Sequence, residues 1–316
     1  MMRIAAIFPG QGSQSVGMGC DVAAESVAAR AIFERASELL GYDLLALQRV
    51  GPEEKLRETE YSQPAIFTTN LALFAAAGDA GETVVTAGHS FAELCSLTIA
   101  RALTFDDALR IVSARGRAMQ AAAQQTRGGM SAILGLEAAK VREVLEHVRG
   151  HARVNLANFN SPTQIVISGQ LDAVQAAGEA MLEAGAKRVV PLNVSGAWHS
   201  ELMQPAIEPL RAAVESAHFD LPGIDVISNV DGRVYRDVDS IKRSLIRSVV
   251  DEVRWHDTAE ELLRYERDIV VEFGASGVLS ALMKRMPSAP RTMVVSDFAA
   301  ARQLRSAGET AAQANV

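Results

Sequence analysis

TVVTAGHSFAELCSLTIA, Thr83 to Ala100, is the stretch on which the fold turns. Thr83 to Ala87 is β-branched and apolar, the composition of a buried strand. Gly88, His89 and Ser90 then open a helical stretch that runs to about Ala100. A serine at such a strand-to-helix turn exposes its hydroxyl, and the backbone N–H after it can face a developing oxyanion. Gly88 and Ala92, two residues to either side of Ser90, let strand and helix approach closely. The usual pattern for this turn is GxSxG, and here it is GxSxA. The plain alternative is an ordinary serine in a connecting turn.

On the N-terminal side, Arg3 to Phe8 forms a short apolar strand, followed by the glycine turn Pro9-Gly10-Gln11-Gly12-Ser13. Helical patterns follow around Ala28 to Leu40 and Gln63 to Ala77. Beyond Ala100 another helix starts at Thr104, a capping residue, with Asp106 and Asp107 in its favourable first turn. Strands alternating with helices imply an α/β protein with a mostly parallel sheet. Residues 128–194 follow another order. Met130 to Leu136 is expected as a strand, Glu137 to Val148 as a helix, and Val154 to Ala157 and Gln164 to Ser168 as strands. Leu171 to Ala184 is then a helix and Arg188 to Val194 a strand. That β-α-β-β-α-β order is ferredoxin-like. The predicted division is a large domain of residues 1–127 and 195–316 carrying an inserted subdomain, 128–194. The Ala-rich tail from Phe298 is expected as a short helix or a frayed end.

Composition narrows the function classes. A formal charge of −7 argues against a nucleic-acid binder, which normally carries a basic excess or stripe. No run approaches the roughly 18 apolar residues of a membrane helix. The N-terminus reaches Pro9 and Gly10 at once and reads as a strand and turn, not a signal peptide. Cys20 and Cys95 stand alone, without CxxC or Cys/His ligand spacing, so neither a disulfide framework nor a metal site is expected. The expected setting is the cytoplasm.

A nucleophilic serine needs a base, and the chain has six histidines. His147 and His151 lie in or just after a charged helix and look solvated. His218 and His256 have no special context, and His89 is expected to be structural. His199 ends the strand-like run VPLNVSGAWH, where loops leave a parallel sheet and sites gather. It is the candidate base, against a packed or surface histidine. On the helix from Thr104, Ala108, Val112, Arg115 and Met119 fall on one face. An inward arginine must find an anion, either a structural carboxylate or a substrate carboxylate held by its fork. Gly10-Gln11-Gly12 is only a weak match to a GxGxxG dinucleotide loop, which would need Gly at position 15, here Ser15. A turn presenting the Gln11 amide as an oxyanion donor fits the serine better.

These pieces together resemble the malonyl-CoA:acyl-carrier-protein transacylase family, including the free-standing acyltransferases of polyketide synthases. The motifs are FPGQGSQ (8–14), SQPA (62–65), GHS (88–90), RGRAMQ (115–120) and ANFNSPTQIVISG (157–169), then GAWHSELM (196–203), ISNVDG (227–232) and VRW (253–255). The resemblance implies an α/β-hydrolase-like large domain with a ferredoxin-like small one. It implies that Ser90 takes the acyl group, with His199 as base steadied by a backbone carbonyl that Ser248 can supply. The amides of Gln11 and Phe91 would form the oxyanion hole. Arg115 would bind the malonyl carboxylate, and Asn160 would belong to the active-site cleft. The implied substrates are malonyl-CoA and a phosphopantetheinylated acyl carrier protein, with no metal or redox cofactor, and the protein is expected as a monomer. An acyl hydrolase, or a transferase of other acyl groups acting on carrier proteins, is the alternative on the same fold. A noncatalytic module that binds carrier proteins is the alternative outside catalysis.

Departures from the family pattern are Phe91-Ala92 for Leu-Gly, Glu252 for Pro before VRW, and Ala275-Ser276-Gly277 for Pro-Gly-Lys. Trp198 fills a position often held by Phe and is expected to shape acyl selectivity. They point to a specialised enzyme more than a housekeeping one, with the fatty-acid and polyketide pathways both open. Lys187 with Arg188 and Lys284 with Arg285 are the paired basic residues expected to meet an acidic carrier.

Overall fold

The structure, a computed structural model, describes residues 1–148 and 153–313. Its strands are β1 (Arg3–Phe8), β2 (Glu82–Gly88), β3 (Gly128–Leu134), β4 (Val154–Ser161), β5 (Gln164–Gln170), β6 (Arg188–Pro191), β7 (Asp225–Val226), β8 (Ile269–Phe273) and β9 (Thr292–Val295). They form a parallel sheet in the order β7-β2-β1-β8-β9 and an antiparallel sheet in the order β4-β5-β3-β6.

The parallel sheet is buried on both faces, and β1 shows why it reads as a continuous apolar run. Ile4, Ala6 and Phe8 enter one hydrophobic cluster, while Ala5 and Ile7 enter another on the opposite side. Alternate side chains point to opposite faces, so a strand covered twice cannot alternate with polar residues. Each fully buried Ile or Phe of this kind contributes about 1.5–3 kcal/mol relative to exposure.

The antiparallel sheet has the ferredoxin-like order read from the sequence. One face, with Ile133, Ile165 and Ile167, packs on the helices Ala138–Val148 and Leu171–Glu183. The other turns Met130 and Val166 toward the large sheet's core. Bulges in β4 break its pairing with β5, and there β4 bonds elsewhere. Asn158 bridges to Val253, Phe159 N–H donates to the Val253 carbonyl, and Val253 N–H donates to the Ala157 carbonyl, the last two at 2.8 Å. The tail is a full helix, Phe298–Gln313, seated by Ala301 and Leu304.

Candidate active site

Ser90 sits where β2 meets a short 3₁₀ turn, Ser90–Ala92, that leads into the helix Glu93–Ile99. The turn is as tight as GxSxA demands. A Cβ on Gly88 would lie 2.0 Å from the Ala92 carbonyl oxygen, and one on Gly10 would lie 2.6 Å from that of His89. Ser90 has φ of 57°, in the left-handed region that a non-glycine residue adopts only under constraint.

Two side chains converge on its hydroxyl. His199 Nε2 lies 2.8 Å from Ser90 Oγ, and Arg115 Nη2 donates to the same oxygen at 3.2 Å. On the far side of the imidazole, Nδ1 lies 3.1 Å from the carbonyl oxygen of Asp251. A proton on Nδ1 satisfies that carbonyl and leaves the Nε2 lone pair for the serine proton. Asp251 therefore shares the role expected of Ser248 alone, whose carbonyl also favours a proton on this ring. Asn155 Nδ2 donates to the His199 carbonyl at 2.8 Å and fixes the loop that carries the ring. Burial, then the Arg115 charge, then His89, hold the His199 imidazole down at about 3, so it is neutral at ordinary pH.

Arg115 occupies the inward stripe of the helix Phe105–Gln125, whose cap is Thr104. It is 2% exposed. Nη1 donates to Gln63 Oε1 at 3.0 Å, while Nε has no hydrogen-bond partner among the described residues. Among the described residues no carboxylate bonds to it directly, and the structural carboxylate that acts on it, Glu93, does so only through its charge. Burial lowers its pKa to about 9, with the nearby Glu93 carboxylate pulling the other way. A buried cation with two neutral partners is costly, and an arriving anion would relieve it.

These residues open into a cavity of about 520 Å³ between the two sheets. Gln11, His89, Asn160 and Trp198 line it, together with Met130, Ala132 and Val166 from the small sheet. Gln11 Oε1 accepts from Thr59 Oγ1 at 2.7 Å, which fixes the glycine turn. Asn160 Oδ1 meets His89 Nε2 at 3.2 Å, so its first contact is with a neighbouring ring and not with Ser90. Phe91 turns its side chain into the core at 2% exposure, and only its backbone remains for the site. Trp198 is buried, with no partner for its indole N–H among the described residues. Its ring lies against Gly196, where a Cβ would approach it to 2.6 Å.

Of the other histidines, His147 is exposed and His218 is 81% exposed. His256, unmarked in the sequence, is buried edge-on to Phe159. His151 lies outside the described residues. No described helix is long and apolar enough to cross a membrane. Among the described residues no three His, Cys, Asp or Glu side chains group as metal ligands.

The sequence reading missed four residues that support this geometry. Gln63 and Asn155 each sat inside a recognised pattern without a chemical reason to be singled out. Asn229 lay in ISNVDG, and Glu93 lay in the helical stretch after Ser90 without being singled out. Asn229 Oδ1 accepts from the Ser90 N–H, and its Nδ2 reaches Glu93.

Residues 6–304 match the acyl transferase domain family. The malonyl CoA-acyl carrier protein transacylase of Salmonella typhimurium is 40% identical, over 90% of this chain and 93% of that protein. The Bacillus subtilis protein of the same name is 40% identical over 94% of each. A malonyl-transacylase solved in complex with its type II polyketide synthase acyl-carrier protein superposes with a TM-score of 0.92. It is 36% identical, covering 98% of this chain and 99% of that one. The Vibrio cholerae acyl carrier protein S-malonyltransferase gives 0.91 at 38% identity, over 95% and 99%. The chain belongs to the malonyl-CoA:acyl-carrier-protein transacylase family of acyl transferases.

Proposed function

We propose that this chain moves a malonyl group from coenzyme A to the phosphopantetheine thiol of an acyl carrier protein, through a malonyl ester on Ser90. The observation that carries the reading is the meeting of Ser90, His199 and a buried Arg115, bonded directly to no carboxylate among the described residues, at one hydroxyl oxygen. In the first half-reaction His199 Nε2 takes the Ser90 proton while Oγ attacks the thioester carbonyl. The tetrahedral oxyanion accepts from the Gln11 and Phe91 amides. Collapse breaks the carbon–sulfur bond, and the proton on His199 passes to the departing CoA sulfur. In the second half the carrier thiol gives its proton to His199 and attacks the ester carbonyl, and collapse breaks the bond between that carbon and Ser90 Oγ. The proton then returns to Ser90 Oγ. Arg115 holds the malonyl carboxylate throughout, and Trp198 and Asn160 shape the space around it. So written, the chemistry needs only side chains, backbone amides and the two thioester substrates.

Residues 1–127 and 195–316 form the catalytic domain in this reading, and the subdomain 128–194 roofs the cleft. The acidic net charge and the two free thiols, Cys20 and Cys95, fit a cytoplasmic monomer that serves neither nucleic acid nor membrane. Relatives include both housekeeping transacylases and the polyketide partner above, and the Phe91-Ala92 and Trp198 departures favour the polyketide pathway.

Intact-protein mass spectrometry after exposure to malonyl-CoA tests the reading. One malonyl adduct per chain is expected, absent in Ser90→Ala and discharged by carrier protein. Release of free malonate without transfer would instead identify a hydrolase.

A further inference from the structure

Beneath the Ser90 turn lie three buried polar side chains, Glu93, Asn229 and Tyr235, that do not line the cavity. The left-handed φ of Ser90 is unfavourable for a non-glycine residue and persists only where the surroundings impose it. Asn229 makes the bonds that could impose it. Its Oδ1 accepts from Ser90 N–H at 3.1 Å, and its Nδ2 donates to the Gly88 carbonyl at 2.7 Å and the Ser90 carbonyl at 3.3 Å. Both sides of the turn are thus held by one amide.

An amide can flip, and Glu93 prevents it. One carboxylate oxygen accepts from both the backbone N–H and Nδ2 of Asn229 at 2.7 Å each, and the other accepts from Tyr235 Oη at 2.6 Å. Flipped, the Asn229 oxygen would face that carboxylate, and two acceptors would meet where no water intervenes.

We propose that Asn229, locked in orientation by Glu93, is a positioning residue that holds the Ser90 turn in the conformation from which the hydroxyl reaches His199. The proposal rests on Ser90 being the nucleophile, as read above. It predicts that nucleophilicity depends on groups that touch no substrate.

The test is the rate at which a fluorophosphonate labels Ser90, read by intact mass beside Tm and steady-state constants for malonyl-CoA. Asn229→Ala and Glu93→Ala should label roughly 10–100-fold more slowly, the scale of a small misplacement of a reacting atom. Their KM should stay within about threefold, because the ground-state contacts of the substrate are intact. Glu93→Gln should recover most of the rate. Its amide oxygen can still accept from Asn229, and the Tyr235 hydroxyl can turn to accept from its nitrogen. If the alanine variants do not fold, Tyr235→Phe, which removes one oxygen, should still slow labelling several-fold. Variants that lose Tm but label at the wild-type rate would overturn the proposal while leaving Ser90 as nucleophile. A wild-type chain that labels elsewhere would remove Ser90 from its role and the proposal with it.

Discussion

Arg115 brings a charge into a site where, among the described residues, its hydrogen-bond acceptors are the neutral oxygens of Gln63 and Ser90 and the Glu93 carboxylate acts on it without a direct bond. If a substrate carboxylate supplies the missing anion, Arg115→Ala loses charge-assisted bonds worth about 1.5–3 kcal/mol each. The kcat/KM for malonyl-CoA should then fall on the order of 10²–10⁴-fold for two such bonds, while acetyl transfer is spared or improves. An unchanged malonyl-to-acetyl ratio would end the carboxylate clamp. Trp198 sits one residue before His199 against the same cavity. Crowding of one methyl group discriminates by about 1–3 kcal/mol, so malonyl should be preferred to methylmalonyl roughly 10–200-fold. Trp198→Ala should mainly raise methylmalonyl use, and equal gains for both substrates would count against that role. The two histidines of the site set a pH window. Burial holds His89 at about 4 and His199 at about 3, below their ordinary value of 6.5. Between those values the unfolded chain binds protons that the folded chain does not, so stability is full above pH 6.5 and lost as pH falls from there. Urea unfolding at a series of pH values should show that slope, shallower in His89→Gln. Because His199 stays neutral, its titration should put no acid limb on kcat/KM between about pH 5 and 8.

The elements that carry these residues meet through glycines, and one contact is decisive for the base. A Cβ on Gly128, the first residue of β3, would lie 2.6 Å from the Ala197 side chain and 2.8 Å from its backbone nitrogen. Gly128→Ala must push the 197–199 loop away from Ser90, at a typical overpacking cost of about 1–3 kcal/mol. Acyl-enzyme formation should therefore fall far more than the drop in Tm explains, and proportional losses would mean simple destabilisation. At this scale the sequence was most legible. The strand Arg3 to Phe8 has the bounds read from its apolar run, and the β-α-β-β-α-β order of 128–194 holds with ends displaced by a few residues. Arg115 was placed inward by the 3.6-residue period of its helix alone. What stayed hidden was of two kinds. The Asp251 carbonyl that orients His199 is a backbone group and has no residue signature. Glu93 and Asn229 are polar side chains joined across 136 positions, and no local periodicity marks such a pair.

Across the whole molecule, the exposed charges offer a test of where a carrier protein would dock. Lys187, Arg188, Lys284 and Arg285 are all exposed, but they are not equivalent. Arg285 Nη1 donates to Gln164 Oε1 at 2.6 Å, and Gln164 lines the cavity, so Arg285 of this pair stands one contact from the cavity wall. Reversing Lys284 and Arg285 should raise KM for the carrier protein, more at low salt, and leave KM for malonyl-CoA alone. Reversing Lys187 and Arg188 should do less, and the opposite ranking would move the docking surface. The union of the two sheets has a different consequence, for recombination among relatives. β4 is bonded on both sides of Asn158 to Val253, two residues from the carbonyl that steadies His199, and Arg142 grips Glu252 at 2.9 Å. A chimaera that exchanges only residues 128–194 would import a foreign edge to this seam and leave its native partner behind. The segment around residues 250–256 has to travel with it, so the smallest unit that can be traded intact is discontinuous in the gene.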